Sequence, residues 1–260
     1  MILAVINAKG GTAKTTTAVS LAAALAGKGR RTLLIDLDSQ ASASLSLGVS
    51  RADLSSRAAV AILDGRPLTD AIRQTAVPKL DLVAGSPELA DADLRLATVT
   101  GRERRLAAAV APIRDAYDFI ILDCPPSLSL LPVNALTAAD AYLVPTPPEY
   151  LALEGLVGLM DAVQRIQAGL GESCYLLGIL LTKVDYRRRV TAEIIDVIRQ
   201  HYGRQVFKTE IKVDVRLVEA PSFGQPIFDY APGSSGADAY HLLADEVIKR
   251  KGTMSWRSHD

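Results

Sequence analysis

The segment at residues 2–16, ILAVINAKGGTAKTT, constrains the fold more than any other part of the chain. A short apolar run at residues 2–6 feeds a loop containing Gly10 and Gly11. Lys14, Thr15 and Thr16 follow, and then an Ala-rich segment of helical character. Strand, glycine-bearing loop, Lys-Thr and helix start, in that order, form a phosphate cradle. Backbone N–H groups of the loop and of the helix N-terminus point at the anion, and the helix dipole favours negative charge there. Lys14 is placed to reach the terminal phosphates, and the Thr15 hydroxyl to ligate Mg²⁺.

The strict pattern G-x-x-x-x-G-K-[ST] is not met, because Ala8 and Ala13 stand where its two glycines belong. The chain instead reads Lys9-Gly10-Gly11-Thr12-Ala13-Lys14-Thr15, with an extra lysine upstream. This resembles the deviant Walker A motif, KGGxxK[ST], of the ParA/MinD group of ATPases. The resemblance implies an ATP site built on Lys9, Gly10, Gly11, Thr12, Ala13, Lys14, Thr15 and Thr16, with Lys9 reaching across a dimer interface to the partner's nucleotide.

Apolar runs bounded by turn residues recur at 32–37, 80–84, 119–122, 141–144 and 175–181, with helical periodicity between them. Continuous apolar strands separated by helices predict an α/β fold: a mostly parallel twisted sheet with helices on both faces, P-loop NTPase-like. Ligands then sit at the carboxyl ends of the strands, which is where the polar motifs fall. The first helix is expected over 14–27, ended by Gly27 and Gly29. At 260 residues, 49% of them hydrophobic, one large α/β domain is the economical reading.

After the second apolar run comes Asp36-Leu37-Asp38-Ser39-Gln40-Ala41-Ser42. Carboxylates at alternate positions of a strand end lie on one side, near the phosphate loop if the strands are neighbours. One would then help organise Mg²⁺ while Asp38 orients the attacking water; the plainer reading is an N-cap for the next helix. The segment resembles the family's D-x-D-P-Q-G-N, which matches Asp38 to the carboxylate supporting hydrolysis and to the metal site. Ser39 and Ala41-Ser42 depart from that pattern.

Short helices are expected at 53–63 and 68–74, and an amphipathic helix at 101–114 whose Arg102, Arg104 and Arg105 read as a solvated face. The run Phe119-Ile120-Ile121-Leu122-Asp123 is a Walker B-type strand that delivers Asp123 to the metal's surroundings. With Cys124-Pro125-Pro126 it resembles the family's D-x-P-P. A helix follows at 128–139, which Pro132 is expected to kink or restart. Another strand at 141–146 leads through Pro147-Pro148-Glu149-Tyr150 into a long helix ending near residue 170, and the family places interface contacts at that turn.

Thr182-Lys183-Val184-Asp185 is similar to the N/T-K-x-D signal of GTPases, whose Asp reads guanine; a polar turn of the ParA type is the other reading. Tyr186-Arg187-Arg188-Arg189 then opens a helix at 191–202. Three consecutive arginines make either a DNA-facing positive site or a solubilising turn. ParA proteins implicate an arginine of this loop in sequence-independent DNA binding. Residues 209–226, TEIKVDVRLVEAPSFGQP, strongly resemble the family's I-P-R-N-V-R-L-x-E-A-P-S-x-G-x-P. Lys212-Val213 replace the pair that lies near adenine, and Arg216 matches a second arginine of the DNA-facing surface.

A last helix at 237–251 docks one face on the sheet through Tyr240, Leu243, Ala244, Val247 and Ile248. Residues 1–251 are thus expected to form a single P-loop ATPase domain, followed by a short frayed tail at 252–260. Cys124 and Cys174 read as buried free thiols of a reducing compartment, and no His set has metal spacing. Lys plus Arg and Asp plus Glu both number 29, so DNA binding must come from a local patch. No apolar run approaches the ~20 residues of a membrane span, and the first motif comes too soon for a signal peptide, which predicts a cytoplasmic protein; that it is nucleoid-associated is what the resemblance implies.

The resemblance implies a DNA-partition ATPase of the short type. With Met1 just before the first strand, no N-terminal helix-turn-helix domain is expected. ATP with Mg²⁺ closes a homodimer, the dimer binds double-stranded DNA nonspecifically, and a ParB-type partner stimulates slow hydrolysis. The alternative is a MinD-like membrane switch, for which Trp256 beside basic residues is the sole support.

Overall fold

The computed structural model describes residues 1–171 and 174–254, with backbone alone at 151, 152 and 254. In chain order the elements are β1 (Ile2–Val5), α1 (Lys14–Gly27), β2 (Thr32–Asp36), α2 (Ser42–Ser46), α3 (Arg57–Asp64), β3 (Ile72–Gln74), β4 (Leu80–Val83), α4 (Ala92–Leu96), α5 (Arg105–Val110), β5 (Phe119–Asp123), α6 (Leu130–Ala138), β6 (Ala141–Thr146), α7 (Tyr150–Leu170), β7 (Tyr175–Val184), α8 (Arg189–Tyr202), β8 (Val206–Lys212), α9 (Arg216–Glu219), α10 (Ile227–Tyr230) and α11 (Ser235–Met254). The strands form one sheet in the order β3-β4-β2-β5-β1-β6-β7-β8. All its pairs are parallel except β3 with β4.

Alternate residues of each strand feed opposite faces, so the sheet builds two cores. Ile2, Ala4, Ile35, Ile120 and Leu122 point to one face, which α3 to α8 cover. Leu3, Val5, Leu34, Ile121 and Leu143 point to the other, covered by α1 and α11. The alanines of α1, with Ala18, Ala22 and Ala24 wholly buried, keep its side chains short so that α11 packs close. The Thr17 and Tyr240 hydroxyls meet at 3.2 Å between the two helices.

The expected strands and the helices at 14–27 and 150–170 are present, and several expectations change. Residues 68–74 are a 3-10 turn at Leu68–Ala71 followed by strand β3, because the edge of the sheet offers β4 as a pairing partner. The helix expected over 101–114 is broken into a 3-10 turn, α5 and a second 3-10 turn at Ala111–Ala116, where Pro112 withholds an N–H. Pro132 neither kinks nor restarts α6, since it lies in the first turn, whose N–H groups have no helical partner anyway. β8 was not expected: Val206–Lys212 mixes charged and apolar residues without a clean period of two. α11 runs through Gly252 to Met254, past the expected end at Lys251. Trp256 lies outside the described residues. Among those described, no helix is long and apolar enough to cross a membrane.

Candidate nucleotide-binding site

β1 lies centrally, between β5 and β6, so its carboxyl end opens where loops from both sides converge. The loop after it turns through Gly11 at φ +74° and Ala13 at φ +68°. Glycine adopts this left-handed conformation freely, whereas Ala13 holds it at a cost of ~1 kcal/mol. A Cβ on Gly10 or Gly11 would meet nothing within 4 Å, so the loop faces open space. At the N-terminus of α1 no side chain caps the helix and the first turn holds no acid. The N–H groups of Lys14, Thr15 and Thr16 therefore stand available to an anion.

Lys14 is buried, and its ammonium donates to the Lys9 carbonyl at 2.9 Å. Burial pulls its pKa down, against the opposing charges of Asp123, Cys124 and Asp38. The loop is also tied to the far side of the sheet, where the buried Thr182 hydroxyl donates to the Thr12 carbonyl at 3.1 Å.

Asp36 and Asp123 are register partners at the ends of β2 and β5. Both are wholly buried, yet their environments differ. Asp36 accepts from the Ser44 hydroxyl at 2.7 Å, the Ser44 N–H at 2.9 Å and the Asp38 N–H at 3.1 Å. Burial outweighs these bonds and raises its pKa to about 6. Asp36 is thus a strut of its own loop rather than the free metal-facing carboxylate expected of an alternate pair. Gly85 is obligatory beside it, because a Cβ there would lie 2.6 Å from the Asp38 carbonyl.

Among the described residues neither oxygen of Asp123 completes a hydrogen bond of good geometry, although the Thr15 hydroxyl lies beside it. Burial and the neighbouring Asp36 push its pKa well up, while the Thr15 hydroxyl and Lys14 pull the other way. An orphaned, wholly buried carboxylate next to a threonine hydroxyl and a lysine fits a Mg²⁺–phosphate group. No set of three His, Cys, Asp or Glu residues among those described forms an all-protein metal cage. That agrees with a cation held jointly with phosphates.

The phosphate loop opens on a cavity of about 570 Å³, lined by Gly10, Gly11, Ala13, Lys14, Thr15, Thr16 and Asp38 among others. Asp38 caps its own loop, accepting from the Gln40 N–H at 2.9 Å, and still faces the cavity. Leu217, Val218, Pro221, Gln225 and Lys183 also line its wall. These wall residues were missed as site residues; the E-A-P-S match flagged their segment, but only the docking of α9 reveals their role. Lys212 and Val213, expected near the base, are not brought to this cavity. The Val213 N–H donates to the Val184 carbonyl, which carries both residues into a separate cleft with Asp185, Tyr186 and Arg187.

Lys9 stands at the mouth of the site, 3.2 Å from the Glu149 carboxylate. Of the arginines, Arg187 makes two 2.8 Å bonds to Asp185, while Arg188 and Arg189 are 71% and 97% exposed with longer contacts to Asp185 and Glu193. Arg216 lies 3.9 Å from Asp214. All four arginines belong to loops or helix starts at the carboxyl edge of the sheet.

A phosphate-cradling loop on a central parallel strand, a buried lysine and an orphaned aspartate on the neighbouring strand define a P-loop nucleoside triphosphatase. The model of the AAA domain family matches residues 1–174. Soj, the sporulation initiation inhibitor protein of Bacillus subtilis, is 42% identical over 246 residues, covering 95% of this chain and 97% of its own. The chromosome-partitioning ATPase Soj of Thermus thermophilus is 44% identical, covering 95% of each chain. Among solved structures, cobyrinic acid a,c-diamide synthase of Mycobacterium smegmatis with bound ADP and magnesium superimposes with a TM-score of 0.83 at 32% identity, covering 100% of this chain and 96% of that one. The cell division ATPase MinD of Pyrococcus furiosus gives 0.76 at 27% identity, covering 95% and 98%. The chain belongs to the AAA domain family and, within it, to the ParA/Soj group of chromosome-partitioning ATPases.

Proposed function

We propose that this protein is an ATP-driven DNA-partition switch of one P-loop domain, and that the orphaned Asp123 beside Lys14 and Thr15 is the observation that best supports it. A carboxylate buried without a partner is costly in the empty chain and is compensated when a cation and phosphates arrive. Thr15 and Asp123, with Asp38 nearby, would hold Mg²⁺, which supplies charge neutralisation at the β- and γ-phosphates. Gly10, Gly11, Thr12 and Ala13 present backbone N–H groups to the phosphates, Lys14 neutralises them and Thr16 extends the helix-end cradle. Asp38, on the cavity wall, orients the attacking water. Positioning and electrostatics supply the catalysis, so turnover is slow until a partner completes the site.

In the single chain Lys9 accepts from Lys14 at its carbonyl while its ammonium turns away to Glu149. Its service is to the nucleotide of a second copy in an ATP-closed homodimer. The homodimer presents Arg188, Arg189 and Arg216 from both subunits to double-stranded DNA, with Arg187 as their support. Each phosphate neutralised adds about 0.9 to the slope of log affinity against log salt. A ParB-type partner stimulates hydrolysis and releases the DNA, and the protein resides on the nucleoid.

DNA retardation with ADP, ATP and a nonhydrolysable ATP analogue tests this reading, repeated with Arg188, Arg189 and Arg216 changed to Ala. Binding is expected with ATP and the analogue only, and is expected to be lost in the variants. Binding that ignores the nucleotide or the arginines would sink the proposal. ATP-dependent recruitment to liposomes, with no DNA binding, would favour a membrane switch instead.

A further inference from the structure

Asn7 stands where the chain leaves the sheet. β1 stays bonded to β6 up to the Ile6 N–H, which donates to the Leu143 carbonyl at 3.0 Å. In a parallel ladder the next N–H on that edge is that of Ala8, and the next acceptor is the Pro145 carbonyl. The Asn7 side chain takes that carbonyl, donating from Nδ2 at 2.8 Å. Its Oδ1 accepts the Lys9 N–H at 3.0 Å. One planar amide thus closes the end of the ladder and opens the phosphate loop, and only 8% of Asn7 is exposed.

These bonds decide where Lys9 points. Its N–H is held by Asn7, and its carbonyl accepts from the Lys14 ammonium at 2.9 Å and from the Thr12 hydroxyl at 3.4 Å. The Lys9 backbone is therefore fixed from both sides, while its side chain is 43% exposed and leaves the loop toward Glu149. The ion pair does not fix that direction, since exposed pairs contribute little and exchange readily. The Asn7 amide does: its bond to Pro145 is buried, its bond to Lys9 is half-buried, and removing it strands two backbone groups. Asn7 also spans the same two segments as the ion pair. Pro145 belongs to β6, the strand that leads into the Glu149 turn, so one side chain sets the lysine and the turn facing it relative to each other.

A lysine that serves the nucleotide of another copy gains from being presented outward in one direction before that copy arrives, because ordering it on association costs affinity. We propose that Asn7 is a positioning residue, which fixes the Lys9 backbone so that the ammonium is presented to a second copy of the chain. Asn7 then sets the affinity of the dimer and leaves the single copy's hold on nucleotide unchanged. The inference rests on the dimer reading of Lys9 above and adds the residue that orients it. Holding the Lys9 N–H also withdraws it from the phosphate cradle, which begins at Gly10. The task needs a donor and an acceptor on one rigid group. A carboxylate has no donor, and a hydroxyl offers a single atom for both bonds.

The test measures two quantities in the full-length chain. Affinity for a fluorescent ADP analogue with Mg²⁺ reports the single copy, and light scattering on dilution with ATPγS and Mg²⁺ reports the pair. The wild type is compared with Asn7→Ala, which removes both bonds, and with Asn7→Ser, whose hydroxyl still accepts the N–H two residues on. Folding is followed by circular dichroism, and Asn7→Ser carries the test if Asn7→Ala does not fold. Asn7→Ala is expected to bind the ADP analogue within about 3-fold of the wild type and to dimerise ~10-fold or more weakly, the scale of one lost hydrogen bond. Asn7→Ser is expected to fall between the two. A loss of ADP affinity as large as the loss of dimerisation overturns the proposal, because it makes Asn7 a brace of the whole phosphate loop. Variants that dimerise as tightly as a dimerising wild type overturn this inference alone. A wild type that binds the ADP analogue but stays monomeric with ATPγS overturns the dimer reading itself, and the inference with it.

Discussion

Around the phosphate cradle the telling residues are two carboxyls buried at neighbouring strand ends, Asp36 braced by three hydrogen bonds and Asp123 by none of good geometry. Asp36 and Asp123 face each other across two strands with raised pKa values, Asp36 to about 6. A carboxyl whose folded pKa is raised binds protons more tightly in the native state than in the unfolded chain. Its contribution to stability is therefore complete below the ordinary carboxylate range and is lost as pH rises through about 6. The nucleotide-free protein is expected to melt at a higher temperature at about pH 5 than at about pH 7. Asp123→Asn should flatten that dependence and raise the melting temperature near neutrality, while weakening Mg²⁺-dependent nucleotide binding. Scanning calorimetry across that range measures both, and a variant with the wild-type profile would show that Asp123 is not the strained group. Asp38 makes the opposite case, since it lines the cavity and its own loop needs only one of its oxygens. Asp38→Ala is expected to retain ATP-dependent dimerisation and lose turnover by ~100-fold or more. Ordinary steady-state ATPase activity in this variant would remove Asp38 from the mechanism.

At the level of elements, the edge strand β8 depends on the helix that follows it in the sheet's second layer. Between Val206 and Glu210 the strand advances four residues while β7 advances only from Ile179 to Leu181, so β8 bulges. α11 fills the gap. Glu246 accepts from the Lys208 and Thr209 N–H groups, and Arg250 donates to the carbonyls of Leu177 and Val206 while stacking 3.9 Å from the Phe207 ring centre. These are backbone groups that a regular ladder would have paired. Arg250→Ala is expected to cost ~2 kcal/mol or more in urea unfolding, because it strands carbonyls and the Glu246 charge together. Nucleotide affinity should change little, since α11 lies away from the cavity lining. A loss below about 0.5 kcal/mol would mean that the bulge holds without its clamp. The sequence shows α11 as an amphipathic helix, but the strand it braces has too irregular a pattern to be read, because its period is broken where the helix repairs it.

For the molecule as a whole, Lys9 connects one chain to the next. Within the chain its ammonium pairs with Glu149, an exposed pair that contributes at most about 1 kcal/mol. That contact is easily exchanged for a partner's phosphate. Lys9→Ala is expected to keep ATP affinity within a few-fold of the wild type and to remain monomeric when ATP is added. Light scattering on a sizing column distinguishes this from an ATP-closed dimer, and dimerisation of the variant would assign the interface to other residues. The strands β1, β2, β4, β5, β6 and β7, the parallel sheet and the phosphate loop with its two lysines follow from the sequence alone. Each is written in local periodicity or in a short motif whose spacing meets a chemical need directly. What only the tertiary structure decided is which segments meet. Asp36 turns inward to Ser44, Lys212 and Val213 leave the cavity while Leu217 and Pro221 enter it, and Arg187 closes on Asp185. These outcomes depend on long-range register, on the close packing of loops at one sheet edge and on competition between partners for the same carboxylate, and none of these leaves a local periodic trace in the chain.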